Sequence, residues 1–66
     1  MVIKIIEVIG VSTDSFEDAI RQAVARTSKT LKGITGVDVI GQNAQVKDGK
    51  VIEFRVNLKV AFVVND

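Results

Sequence analysis

The dipeptide Asp48-Gly49 stands between two long runs of alternating apolar and polar residues, and that juncture decides most of what the chain can fold into. Asp-Gly favours a two-residue type I′ turn, whose two central residues both take positive φ. The turn places Lys47 opposite Lys50 and makes the second half of the chain a hairpin. Counting outward from it pairs Gln42 with Arg55, Val39 with Leu58, Asp38 with Lys59 and Val37 with Val60. One face then carries Val37, Val39, Phe54, Val56, Leu58, Val60 and Phe62. The other carries Gly36, Asp38, Ile40, Gln42, Glu53, Arg55, Asn57, Lys59 and Ala61. The alternation from Ile52 to Phe62 is unbroken, which specifies the register, and a bulge near Gly41 would shift pairs by one.

The first segment, Val2 to Ile9, is short and rich in β-branched residues, so it reads as a strand. Ile3, Ile5, Glu7 and Ile9 form one face, and Val2, Lys4, Ile6 and Val8 the other. A strand apolar on both sides is covered on both sides. Gly10 to Ser15 reads as a turn into a helix that runs to about Lys32. Asp14 with Glu17 makes one capping frame and Ser15 with Asp18 a competing one. Phe16, Ala19, Ile20, Ala23, Val24, Thr27 and Leu31 recur at three- and four-residue steps and form a single stripe. Gly33 is the expected stop. A helix between two strands is a crossover, so the first and second strands run the same way with the third between them. The expected fold is α+β: one β-α-β-β domain over residues 1–66, with a three-stranded sheet wrapped on one helix.

Such a chain is short of interior. A domain of this size buries only about 60% of the surface that its unfolded chain exposes. The usual staples are missing, since there is no Cys for disulfides and neither Cys nor His for zinc. Yet 47% of the residues are apolar. Apolar surface with no interior to enter goes into an interface, so a homo-oligomer is expected.

The same inventory argues against several functions. With no His, Cys or Tyr, and with scattered carboxylates, no acid/base pair is formed and an enzyme is not expected. Nine basic and eight acidic residues give a net charge of +1, which makes no case for nucleic acid. No apolar run is long enough for a bilayer, and charges at Lys4 and Glu7 break the layout of a signal peptide, so a cytoplasmic protein is the default. The sheet face away from the helix is the candidate site. Asp38 opposite Lys59 reads as a surface charge pair. Gln42 opposite Arg55 offers donors and an acceptor suited to a ring edge or a phosphate.

Five stretches together resemble the dodecin family over nearly the whole chain. They are Lys4 to Ser12, Ser15 to Ile20, Ala23 to Leu31, Val37 to Gln42, and Phe54 to Phe62. The resemblance implies a β-α-β-β fold, a hollow homododecamer, and flavin (riboflavin, FMN or FAD) held in pockets between subunits. It implies ligand contacts from Gly36, Val37, Gln42 and Arg55. In flavin-binding dodecins a Trp before the V-x-V segment stacks on the flavin ring, and Gly36 stands there in this chain. A Gln of the last strand meets the flavin's pyrimidine edge, and the matching residue is Arg55. One base-aromatic stack contributes about 1–3 kcal/mol. Its loss weakens binding roughly 5- to 150-fold. A flavin or nucleotide-like storage assembly is therefore the leading expectation. A structural or ion-binding shell is the alternative.

Overall fold

A computed structural model describes residues 1–64. Four elements follow in the order β1 (Val2–Ser12), α1 (Phe16–Thr27), β2 (Ile34–Lys47) and β3 (Lys50–Val64). The sheet order is β1-β3-β2, and both pairings are antiparallel. β1 and β2 thus run in the same direction on either side of β3, as the crossover requires. Asp48 and Gly49 take φ of 52° and 76°, the pair of positive values that defines the type I′ turn.

The core lies between α1 and the centre of the sheet. Val56, Leu58 and Val60 of β3 are fully buried and meet Ala19 and Ala23 of the helix. Small helix residues let the two backbones come close. The crossing is tightest at Gly10 of β1, where a β-carbon would run into the Ala19 carbonyl oxygen and lie 3.0 Å from the Ala23 Cβ. Phe16 closes one end of this core, edge-on to Phe54 at 5.0 Å between ring centres.

Three details differ from the sequence reading. β1 continues through Gly10 and Val11 to Ser12, because Gly10 is the strand residue that α1 crosses. The helix ends at Thr27, five residues before Lys32. Ser28, Thr30 and their neighbours turn back on the last carbonyls: the Ser28 hydroxyl donates to Ala25 O, and the Thr30 and Leu31 amides both donate to Thr27 O. Hydroxyl side chains that compete for the backbone favour such ends over helix interiors. At the other end, the Ser15 frame prevails. Ser15 is the N-cap, and its Oγ accepts from the Asp18 amide at 2.9 Å.

The isolated chain leaves much apolar surface open. Its radius of gyration is 13.5 Å and its extents are 51 × 20 × 13 Å. A compact chain of this length would have a radius near 11 Å. The exposed surface is 4800 Å², against about 4,100 Å² for a compact monomer of this mass. The length comes from the hairpin. β1 reaches only to Phe54, so the residues from Gln45 to Glu53 continue as a two-stranded arm. Val46, Val51 and Ile52 on that arm are exposed, as are Ile3, Ile5, Ile9 and Val11 on β1. A two-stranded ribbon is marginal by itself in water.

Candidate functional site

The sheet face turned away from α1 is built from rungs, each with one residue from every strand. Directly opposed residues share a face, so the register names them. Ile5, Ala61 and Gly36 form one rung, and Glu7, Lys59 and Asp38 the next. Ile9, Asn57 and Gly41 follow, and then Val11, Arg55 and Asn43. Each rung has its own chemistry.

The Gly36 rung is small and flat. Nothing lies within 4 Å of where a side chain at Gly36 would begin. Ala61 beside it adds only a methyl group, and Ile5 borders the bed with an exposed aliphatic side chain. The next rung sets Lys59 between two carboxylates. Asp38 is opposite Lys59, as the turn register requires, but the ion pairs among the described residues are Arg21–Glu17 and Arg55–Glu53. Lys59 therefore lies in the field of Glu7 and Asp38 without closing a contact to either.

The Arg55 rung differs from the sequence reading. Arg55 faces Asn43, and Gln42 faces Val56 on the helix side of the sheet. The cause is a pair of compensating irregularities. Ile40 is an extra residue in β2 between the Val39–Leu58 and Gly41–Asn57 pairs. Ile52 is an extra residue in β3 between the Gln45–Glu53 and Val46–Val51 pairs. The rungs between them are slid by one residue, and those from Val39 to Val37 return to the turn's register. The slide gives Phe54 the small Ala44 as its partner, where the unbroken ladder would set Asn43 against a ring already packed on Phe16. It also exchanges the faces of Gln42 and Asn43.

Four polar side chains then share two neighbouring rungs, as two hydrogen-bonded pairs, one on each strand. The Arg55 Nε donates to Glu53 Oε1 at 2.7 Å, and both residues are partly buried. Across the ladder, the Gln45 Nε2 donates to Asn43 Oδ1 at 3.1 Å. Asn43 and Gln45 were absent from the sequence reading of the site. The signal that could have found them is the size mismatch of Asn43 against Phe54 in an unbulged ladder. Val37 is half-buried opposite Val60 and packs against the core, so it supports the sheet under Gly36 without reaching the open face.

Other polar groups serve the fold. The Asp18 carboxylate accepts from the Ser12 hydroxyl and from the Gln22 amide, both at 2.6 Å. These two donors hold its pKa below the ordinary aspartate value, with a smaller contribution from Arg21. The Ser12 Oγ in turn accepts from the Asp14 amide at 2.9 Å, which ties the end of β1 to the start of α1. A groove of about 340 Å³ runs beside β1 and is lined by Gly10, Gln22 and Arg26. Among the described residues no three acidic side chains gather as a cation site, and no helix is long and apolar enough to cross a membrane.

Comparison with known proteins places this architecture. Residues 2–65 match the family model described as Dodecin. A calcium dodecin of Mycobacterium tuberculosis is 36% identical over 61 residues, which cover 92% of this chain and 86% of that protein. The structure of dodecin from Streptomyces coelicolor superposes with a TM-score of 0.95 at 34% identity, covering 98% of this chain and 93% of that one. The crystal structure of the M. tuberculosis calcium dodecin superposes with a TM-score of 0.86, also at 34% identity and with the same coverage. With the helix on one side of the sheet, the hairpin arm and the rung pattern in place, the family match over nearly the whole length settles the assignment: the chain belongs to the dodecin family.

Proposed function

We propose that this chain is a non-enzymatic binding protein that assembles as a homododecameric shell and holds a flavin, or a related flat heterocycle, between its subunits. The observation that carries this reading is the layout of the open sheet face. The flat Gly36–Ala61 bed and the polar Arg55–Asn43 rung lie on the same face, six residues apart along β3. At about 3.3 Å per residue that is roughly 20 Å, longer than one ring system. A ligand that uses both kinds of surface takes the bed from one copy and the polar rung from another. The exposed apolar residues on β1 and on the hairpin arm support an assembly that supplies the second copy.

The residues fit a flavin in shape more than in stacking power. The bed has room for a ring, but Phe54 and Phe62 belong to the helix side of the sheet and Phe16 to the helix itself. The ring would rest on backbone and aliphatic groups, without the family's Trp. The affinity expected is lower than that of a Trp-stacked site by roughly 5- to 150-fold. Titration of riboflavin with the protein, read by loss of flavin fluorescence, tests the reading. Saturable quenching by the assembled protein supports it. Unchanged fluorescence at high micromolar protein overturns it.

Calcium binding is the second reading, favoured by the M. tuberculosis relative, which is a calcium dodecin. Glu7 and Asp38 supply carboxylates on one rung, but Lys59 stands between them. Calcium needs six to eight oxygen ligands. A site here would have to draw carboxylates from several copies. Titration calorimetry with calcium chloride on the assembled protein decides it.

A further inference from the structure

The two hydrogen bonds within the polar quartet decide which of its atoms remain to meet a ligand. Gln45 occupies the Asn43 carbonyl oxygen, and Glu53 occupies the Arg55 Nε. Among the described residues, the Asn43 Nδ2 and the Arg55 Nη groups donate to no protein acceptor. These are all N–H donors. A guanidinium has no acceptor at all, and the Asn43 carbonyl oxygen already accepts one hydrogen bond from Gln45. The Val11–Arg55–Asn43 rung is therefore a donor-rich edge, bordered by the exposed aliphatic side chain of Val11.

The geometry points to a specificity rule for this site: the group that docks on the Asn43–Arg55 rung presents acceptors to the Arg55 guanidinium and the Asn43 NH₂. The inference rests on the ligand-binding reading above and adds the chemistry of the contact. Two groups of a flavin mononucleotide meet the rule. One is the ring edge that carries the C4 carbonyl oxygen and the unprotonated N5. The other is the phosphate. A group that turns only N–H donors toward the Arg55 guanidinium would set donor against donor and leave both unpaired, which costs more than a missing contact.

Glu53 is the positioning residue of this edge. Through Nε it restrains the Arg55 guanidinium and leaves both Nη groups without a protein acceptor among the described residues. A fixed fork loses less freedom on binding than a mobile one. Gln45 plays the same part for Asn43, by holding its carbonyl oxygen and leaving its NH₂ without a protein acceptor among the described residues.

The test uses the assembled protein and flavin fluorescence quenching. Asn43→Asp replaces the Nδ2 donors with acceptors and should weaken flavin binding at least about tenfold. Glu53→Ala should weaken it several-fold, and Glu53→Gln, which keeps an acceptor for Nε, should restore it. That rescue separates positioning from loss of charge. Riboflavin, FMN and 5-deazariboflavin then distinguish the two sources of acceptors. If the phosphate docks on the rung, FMN binds more tightly than riboflavin, and Asn43→Asp abolishes the difference. If the ring edge docks there, riboflavin and FMN bind alike and the 5-deaza analogue, which lacks one ring acceptor, binds more weakly. Flavin binding that is unchanged by Asn43→Asp and by Glu53→Ala overturns the donor-edge rule while leaving the flavin reading intact. Failure of both the parent and its Gly36→Trp variant to quench any flavin overturns both.

Discussion

Gly10 of β1 lies directly beneath Ala19 of α1, so close that a β-carbon at residue 10 would collide with the Ala19 carbonyl oxygen. That oxygen belongs to the helix backbone and cannot swing aside as a side chain would. Gly10→Ala should therefore push the helix off the sheet. Overpacking of this kind costs about 1–3 kcal/mol. In a domain whose whole stability is about 3–10 kcal/mol, that should lower the thermal midpoint by several degrees or more. A variant with the parent's melting curve would show that the helix sits higher on the sheet than described.

Val60 tests the register at its buried end. It is fully buried, with Val37 and Ile6 opposite it on either side. Val60→Asp places a carboxylate there with no partner, at a cost of several kcal/mol, comparable with the total stability. The expected outcome is an unfolded or insoluble chain by circular dichroism. Lys59→Asp, one residue away on the open face, should fold.

These two positions also mark what the sequence makes legible. The Asp-Gly turn fixed the pairs from Val39–Leu58 to Val37–Val60, and the helical stripe contains Ala19 and Ala23, the helix residues that the core buries. A bulge near Gly41 was legible and lies at Ile40, but its counterpart at Ile52 was not, so the middle rungs were misplaced. Ile40 and Ile52 each add one residue, and because the additions fall on opposite strands they cancel. The pairs beside the turn and those from Val39 to Gly36 therefore agree with an unbroken ladder, while the block from Gly41 to Gln45 and the terminal Ile34–Phe62 pair depart from it. The helix end was hidden for another reason. Leu31 continues the apolar spacing after the backbone has already turned at Ser28. Side-chain periodicity reports which residues face the core, and it does not report which carbonyls accept which amides.

Asp18 makes stability sensitive to acid. Its hydrogen-bonded carboxylate has a lowered pKa in the folded chain. The unfolded chain therefore takes up the proton first as pH falls. The stabilisation from this group is complete above the unfolded value, about pH 4, and is lost as pH falls through the lower folded value. Chemical denaturation followed downward from about pH 5 should show a steeper loss for the parent than for Asp18→Asn, which cannot titrate. Ser15→Ala, at the cap itself, should cost about 0.5–2 kcal/mol at neutral pH. Equal acid slopes for the parent and Asp18→Asn would remove Asp18 from the acid response.

Gly36→Trp should raise riboflavin affinity at least about tenfold, the equivalent of about 1.4 kcal/mol and within the range of one aromatic stack. The position has space for the ring and lies off the core, so assembly size and circular dichroism should not change. Equal quenching by the parent and the variant would mean that the Gly36 bed is not where the ring lies.

The assembly itself is expected to be a dodecamer at micromolar concentration by light scattering. Val46→Lys together with Ile52→Lys, on the exposed hairpin arm, should shift it toward smaller species, because the arm's apolar residues need a neighbour to cover them. A parent that stays monomeric or dimeric would remove the basis for pockets shared between copies.

Each bulge absorbs its own extra residue, so the rungs on either side of it are insulated from the insertion. Removing Ile40 alone would make Val39–Leu58 and Gly41–Asn57 consecutive rungs, and removing Ile52 alone would do the same for Gln45–Glu53 and Val46–Val51. Neither edit moves any other pair: Asn43 stays opposite Arg55, and Val60 and Leu58 keep their places. The two bulges are thus points at which a strand changes length by one residue without changing which residues share a rung.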